Sequence, residues 1–363
     1  MTDAHDKIRD AVTGAPEEPP RNALGEDCPV WPLGHRGGRY YFLTRAGEVL
    51  DYSARDLGEA VIDSLFGGNV DWLIREFPAL DKEGKPSGNY RVVKVRRALI
   101  EACEQQGAWD AGTPLRGPGV WLDGGRLICH CGDRIGVDGE WRKAGFRLDR
   151  GIYVVAPALT RPAADPAPIE AGQRVLSMLR GWNYEWDIGP ELILGFAAVG
   201  MLGAAPRWRS HIAVTGRKGC GKTELASSVV ALLGPSGHDL VNRFTEAGLR
   251  QDLTGQARAL LLDEAEPAAG EQSRVEMVIE LIRHMSANDG ARGVQGTAGG
   301  TAQRSSVVGS VYLSSILHVP LTPQDRSRIT LMRLRPLTVG AEDVDVFDRV
   351  LADRAELHLL SPG

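Results

Sequence analysis

Residues Gly216 to Thr223 read Gly-Arg-Lys-Gly-Cys-Gly-Lys-Thr, which fits the spacing G-x-x-x-x-G-K-[ST] in full. The chemistry that such a run serves is phosphate binding. Glycines let successive backbone N–H groups turn toward one anion. The amino end of a following helix adds positive potential. Lys222 is then placed to reach the β- and γ-phosphates, and the Thr223 hydroxyl to ligate Mg²⁺. Gly216, Gly219, Cys220, Gly221, Lys222, Thr223 and Glu224 form the expected nucleotide-contacting set, with ATP and Mg²⁺ as the ligands. Cys220, beside that helix terminus, also reads as a reactive thiol.

A second group lies downstream. The run Ala-Leu-Leu-Leu-Asp-Glu-Ala-Glu ends an apolar stretch in Asp263 and Glu264. An open parallel sheet binds its ligand at the carboxyl ends of its strands. Asp263 is therefore expected in the Mg²⁺ shell, and Glu264 as the general base that polarises an attacking water. A water-activating glutamate suits hydrolysis better than transfer to a small-molecule acceptor. Ser314 and Ser315 close the run Ser-Val-Tyr-Leu-Ser-Ser-Ile. A hydroxyl there orients the water, with Ser315 the candidate, or simply caps the strand. Arg326 and Arg328 precede the last apolar run, where an arginine offered to a neighbouring subunit's γ-phosphate would stabilise transition-state charge.

The stretch from Gly290 to Arg304 is rich in Gly, Thr and Gln and carries no acid. It suits a hairpin or loop that meets a nucleic-acid backbone through Arg292, Gln295 and Arg304. From Arg283 to Arg335 there are seven arginines and two aspartates, a local balance of +5 in a chain whose net charge is -5. Any nucleic-acid surface is thus local. The Cys129-His130-Cys131 triplet invites a zinc reading, but successive strand residues face opposite ways, so His130 does not converge with the cysteines, and no second cysteine pair stands nearby.

These groups need a scaffold. His-Ile-Ala-Val-Thr-Gly before the glycine run reads as a strand, and Lys222 to Leu233 as a helix with Leu225, Val229 and Leu232 on one side. The run around 258–264 reads as a strand buried on both faces. Arg274 to Met285 has the spacing of an amphipathic helix, and residues 342–359 read as a closing helix. Thr245 is an expected N-cap. The result is an α/β fold, a parallel P-loop sheet preceded by a smaller α+β domain. The expected division is a disordered lead over 1–30, an accessory domain over 31–158, a Pro/Ala linker over 159–172, and the nucleotide domain over 173–363. In the accessory domain Ser53 is the expected cap of a helix that presents Leu57, Val61 and Leu65. Gly107 should close a helix, and Asp123-Gly124 and Asp138-Gly139 mark hairpin turns. Trp72, Trp109, Trp121 and Trp141 read as core, or as stacking platforms for bases.

Five cysteines among 363 residues read as reduced thiols of a cytoplasmic protein. The polar amino terminus has no secretory apolar segment. The apolar run from Leu192 to Ala205 is too short to span a bilayer and reads as a buried helix.

Several stretches, among them Leu192 to Thr223, the run around Thr245, Asp263-Glu264, the Gly-Thr-Ala-Gly-Gly segment at 296–300 and Pro323 to Leu337, together resemble the P-loop ATPase half of phage and prophage primase-helicase proteins. Those are relatives of superfamily III helicases within the AAA+ group. The resemblance implies a ring, hexameric in such families, that hydrolyses ATP on single-stranded or forked DNA, with a primase or other replication partner. It also implies the roles given above for Lys222, Thr223, Asp263 and Glu264, a trans-acting Arg326 or Arg328, and a DNA-contacting loop that carries Arg292 and Arg304. Relatives carry a primase-type domain that has no evident counterpart here. A non-translocating nucleotide switch that docks protein partners through 31–158, or a phosphotransferase, are the alternative readings of the same loop.

Overall fold

The computed structural model describes residues 22–110, 112–148, 151–263, 274–286, 291–296, 302–316, 321–336 and 352; for 274–275, 291–296 and 302–306 the description is of the backbone. The chain divides into two compact units. One comprises Met1–Asp110 with Gly145–Leu148 and Ile152–Val154; the other takes Ala111–Ala144, Asp149–Gly151 and Val155–Gly363. The segment 111–144, expected in the accessory domain, clusters with the second unit.

In the first unit, strands β1 (Val30–Arg36), β2 (Arg39–Thr44) and β3 (Val49–Ser53) form an antiparallel meander. Helices α1 (Glu59–Leu65) and α2 (Val70–Glu76), a hairpin of β4 (Pro78–Leu80) and β5 (Pro86–Tyr90), and helix α3 (Val92–Gln106) follow. On α3, Val95, Leu99, Ala102 and Cys103 fall at helical spacing and are buried, as a one-faced amphipathic helix requires. Gly107 closes it at φ +82°. Ser53 does not cap a helix. Its N–H and hydroxyl both bond the Asp56 carboxylate at 3.0 and 2.8 Å, which makes a turn, and α1 starts after Gly58.

The second unit begins with a four-stranded antiparallel sheet of β6 (Gly119–Asp123), β7 (Arg126–His130), β8 (Arg134–Val137) and β9 (Glu140–Lys143). The β8–β9 turn is Asp138-Gly139, both at positive φ. The β6–β7 turn is Gly124-Gly125 instead. Asp123 stays in the strand, buried, 3.1 Å from the Arg116 guanidinium. Cys129 and Cys131 share a face, with sulfurs 3.8 Å apart, while the His130 ring accepts from the Gly132 N–H at 3.0 Å. Among the described residues no cluster of three His, Cys, Asp or Glu could hold a metal ion. Trp72, Trp109 and Trp121 are buried, and Trp141 is part-exposed beneath the Arg161 guanidinium.

Helix α4 (Ile169–Leu179) starts inside the expected linker, and α5 (Gly189–Met201) follows. Then come β10 (His211–Gly216), α6 (Lys222–Leu233), β11 (Gly237–Val241), α7 (Glu246–Leu253), β12 (Ala259–Leu262), α8 (Arg274–Met285), β13 (Ala291–Gly296), β14 (Ala302–Val307), β15 (Val311–Ser315), α9 (Pro323–Arg326) and β16 (Ile329–Leu334). Five strands form one parallel sheet in the order β11-β12-β15-β10-β16. Each central strand is apolar on both pleat faces, so the sheet must be covered twice. On one side Ile212, Val214, Leu261 and Tyr312 pack with α4, α5 and α6. On the other, Ala213, Leu260, Leu262 and Leu313 pack with α7 and α8. The Thr245 hydroxyl caps α7 by accepting from Gly248 N–H at 3.1 Å. β13 and β14 pair as an antiparallel hairpin. No helix of the described residues is long and apolar enough to cross a membrane. The expected helix over 342–359 and the lead over residues 1–21 lie outside the described residues.

A buried polar knot holds the amino edge of this sheet. The fully buried Arg209 donates to the Met285 and Pro206 carbonyls at 2.9 and 3.0 Å. His211 accepts from the Val311 N–H at 3.0 Å through Nδ1, and its Nε2 lies 3.2 Å from the Ser286 hydroxyl. Burial, with Arg209 nearby, pushes the His211 ring down to about 3. Burial, with Arg258 nearby, pushes His238 down to about 4. An unfolded histidine titrates near 6.5. Below that value the unfolded chain takes up protons that the folded rings refuse, so stability falls as pH drops toward the folded values. The slope is up to about 1.4 kcal/mol per pH unit for each ring. Urea unfolding at pH 7, 6 and 5 should give a steadily lower free energy, with a shallower fall for His238→Asn. A flat profile would show that neither ring is held neutral.

Candidate phosphate-binding site

β10 runs straight into the glycine loop, and α6 begins at Lys222. Two glycines there answer to specific constraints. A Cβ on Gly216 would stand 2.6 Å from the Cys220 sulfur and 2.8 Å from the Leu334 carbonyl oxygen. Gly221 caps α6 at φ +83°, in the left-handed region that other residues avoid. Gly219 precedes it at φ +81°. The Lys222 ammonium lies back over the loop and donates to the Gly216 and Arg217 carbonyls at 2.9 and 3.2 Å. Thr223 is exposed on the first turn, and Glu224 accepts the Ser228 hydroxyl on its backbone oxygen at 2.9 Å. Cys220 is 1% exposed and packs in the core beneath the loop. Burial closes it to reagents, against its reading as a reactive thiol.

The parallel register brings the other candidates to the same edge. Thr215 stands opposite Ser315, and Leu262 opposite Leu313, so Asp263 follows β12 at the level of Ser314. Asp263 is buried, and its N–H donates to the Val241 carbonyl at 2.9 Å. Pleat alternation puts Ser314 on the face that Tyr312 shares with α6, and Ser315 on the other. The Ser314 hydroxyl is buried and has no hydrogen-bond partner among the described residues. It is therefore Ser314, rather than Ser315, that the structure turns toward the helix of the loop. The Tyr312 phenol is held well above its ordinary range, first by burial and then by Tyr184, Asp263 and Cys220. The donor chemistry suits Mg²⁺, which takes few protein oxygens and keeps several waters; the Thr223 hydroxyl and the Asp263 carboxylate would supply two. Glu264 lies outside the described residues.

Arg326 and Arg328 sit at the opposite edge. Arg328 precedes β16, and its carbonyl accepts from His211 N–H at the first residue of β10. Six residues of strand, about 20 Å at ~3.3 Å each, separate them from the loop of their own chain. Neither arginine reaches the glycine loop of its own chain. Asp325, directly before Arg326, is fully buried and takes a bidentate pair from Arg283 at 2.7 and 3.0 Å, while a Thr322–Asp325 capping box shapes α9. Arg283, followed by burial and the Thr322 hydroxyl, sets the Asp325 carboxyl, and the net effect holds it well below the usual range. The Arg328 guanidinium donates to the Gln324 carbonyl at 2.8 Å and lies 5.5 Å over the Trp208 ring, whereas Arg326 is exposed. In the β13–β14 hairpin Arg292 pairs with Ser306, Val294 with Arg304, and Gln295 with Gln303.

No protein-family model matches the sequence, and no curated protein matches it. Among solved structures, the chain is similar to JCV helicase bound to a substituted N-phenylacetamide at 13% identity and TM-score 0.35, covering 55% of each chain. It is also similar to the apo structure of the NrS-1 C-terminal region at 11% identity and TM-score 0.42, covering 92% of this chain and 66% of that one. The A form apo structure of that region gives 10% identity and TM-score 0.40, covering 92% of this chain and 67% of that one. The chain thus spans about half of the first structure's length and two thirds of the second's.

The packing under the loop yields a direct test. Gly216→Ala should lower stability by about 1–3 kcal/mol, because the added methyl meets a core sulfur and a strand carbonyl that cannot both retreat. Urea denaturation reads this, and a wild-type midpoint would mean that the loop is slack at its first residue.

Proposed function

We propose that this chain is an ATP-hydrolysing, helicase-like DNA motor. The observation that carries the reading is the alignment at one sheet edge of a complete phosphate loop, an acidic strand end and, on the strand between them, an unpartnered serine hydroxyl. In this reading the loop amides and Lys222 hold the β- and γ-phosphates. Thr223 and Asp263 hold Mg²⁺, which neutralises charge between the phosphates. Ser314 orients a water at the γ-phosphate, and Glu264 takes its proton. The leaving group is ADP and the product inorganic phosphate.

A strand's length between the arginines and their own loop supports action in trans, and so a ring, hexameric if the sequence resemblance holds. The exposed Arg326 fits that role better than Arg328, which is engaged with Gln324 and Trp208. DNA, single-stranded or forked, is proposed from the same resemblance and from the arginine-bearing hairpin.

Steady-state phosphate release tests this for wild type, Lys222→Ala and Glu264→Gln, each with and without single-stranded DNA. The expected result is DNA stimulation of several-fold in wild type and at least ~100-fold lower turnover in both variants, in line with losses of groups that act on transition-state charge. Turnover indifferent to DNA would favour a nucleotide switch that acts on protein partners.

A further inference from the structure

Trp182 lies 39 positions before Gly221, yet its indole N–H donates to the Gly221 carbonyl at 3.0 Å. The same oxygen accepts the first helical hydrogen bond of α6, from Leu225 N–H at 2.9 Å. A peptide unit is planar and trans, so its C=O and N–H point opposite ways. Holding the Gly221 oxygen between two donors therefore aims the Lys222 N–H away from the indole. That N–H is one of the amides with which such a loop meets phosphate. A Cβ on Gly221 would stand 3.0 Å from the indole nitrogen. The last glycine of the loop is thus also the opening through which the ring reaches the backbone.

The segment that carries Trp182 is itself pinned. The Asn183 carbonyl accepts from Arg335 N–H at 2.8 Å, and the Glu185 N–H donates to the Arg333 carbonyl at 2.9 Å. Tyr184 bridges Leu334 antiparallel, and the Asn183 amide donates to the Pro336 carbonyl at 2.9 Å. Residues 183–185 therefore run along β16, the neighbour of β10, directly after Trp182. Trp182 is 8% exposed, so the indole bond is protected from water.

We infer that Trp182 is a positioning residue of the nucleotide site, which fixes the peptide that presents the Lys222 amide to phosphate. The inference rests on the reading of the loop as a phosphate site. Trp182→Phe keeps an aromatic ring and removes the donor. It should weaken both Mg-ATP and Mg-ADP binding about fivefold, the scale of one neutral hydrogen bond. KM should rise with it while kcat stays within about twofold, because the amide grips ground and transition states alike. Trp182→His, which restores a ring N–H, should recover part of the affinity. In wild type, one of the eight indole N–H resonances should shift when Mg-ATP is added and be missing from the Trp182→Phe spectrum. Wild-type affinity in a folded Trp182→Phe protein overturns the inference. Should that variant not fold, the wild-type spectrum decides: no responding indole overturns it. A wild-type chain that binds no nucleotide at all instead overturns the phosphate-site reading beneath it.

Discussion

The parallel register of five strands is the constraint on which the rest depends. β10, β15 and β12 run parallel in adjacent register, so the residues at their carboxyl ends arrive at one edge. The glycine loop comes after β10, Ser314 is next to last in β15 on the α6 face, and Asp263 comes directly after β12. The loop needs its positive-φ glycines, but Ser314 and Asp263 are delivered to it by the ladder alone. Burial on both faces fixes that ladder. A slip of one residue would turn Leu260 and Leu262 into the α6 layer and Leu261 out of it, and exchange the two cores.

The opposite edge of the same sheet has a different task. His211, Arg209 and Ser286 knit the strand starts to the end of α8. The Arg283–Asp325 pair ties the last turn of that helix to α9, which carries Arg326. A charge pair with one member fully buried is costly unless its geometry is good; here it is bidentate and reinforced by a capping box. The reward is orientation. A short helix is held at a fixed angle with its arginine turned outward, a strand's length from the phosphate loop of its own chain.

Much of this was legible in the sequence. The loop spacing, the helix from Lys222 to Leu233 and the amphipathic helix from Arg274 to Met285 carry period and punctuation strong enough to read directly, and each has the expected bounds. The Thr245 cap is local chemistry, and so is the Asp138-Gly139 turn. Other features depend on partners far along the chain. Asp123 leaves its turn because Arg116 pairs with it in a buried site. Ser53 and Asp56 satisfy each other, so the helix starts later. Which of Ser314 and Ser315 faces α6 is a matter of layer assignment that one strand cannot reveal. Nothing near Trp182 announces its bond to Gly221; only the topology brings that indole to the loop. The 111–144 segment reads as accessory because its turns are dense, but its contacts lie with the second unit.

The central claim is that the carboxyl edge of this sheet binds a Mg-nucleotide. Isothermal titration of the full chain with Mg-ATP tests it most directly, run in parallel on wild type and Asp263→Asn and repeated with the metal chelated. The account predicts one site per chain, an affinity that falls when the metal is removed, and a much smaller metal effect in Asp263→Asn. Absence of binding to a folded wild-type chain, or binding that is indifferent to both metal and Asp263, would contradict it.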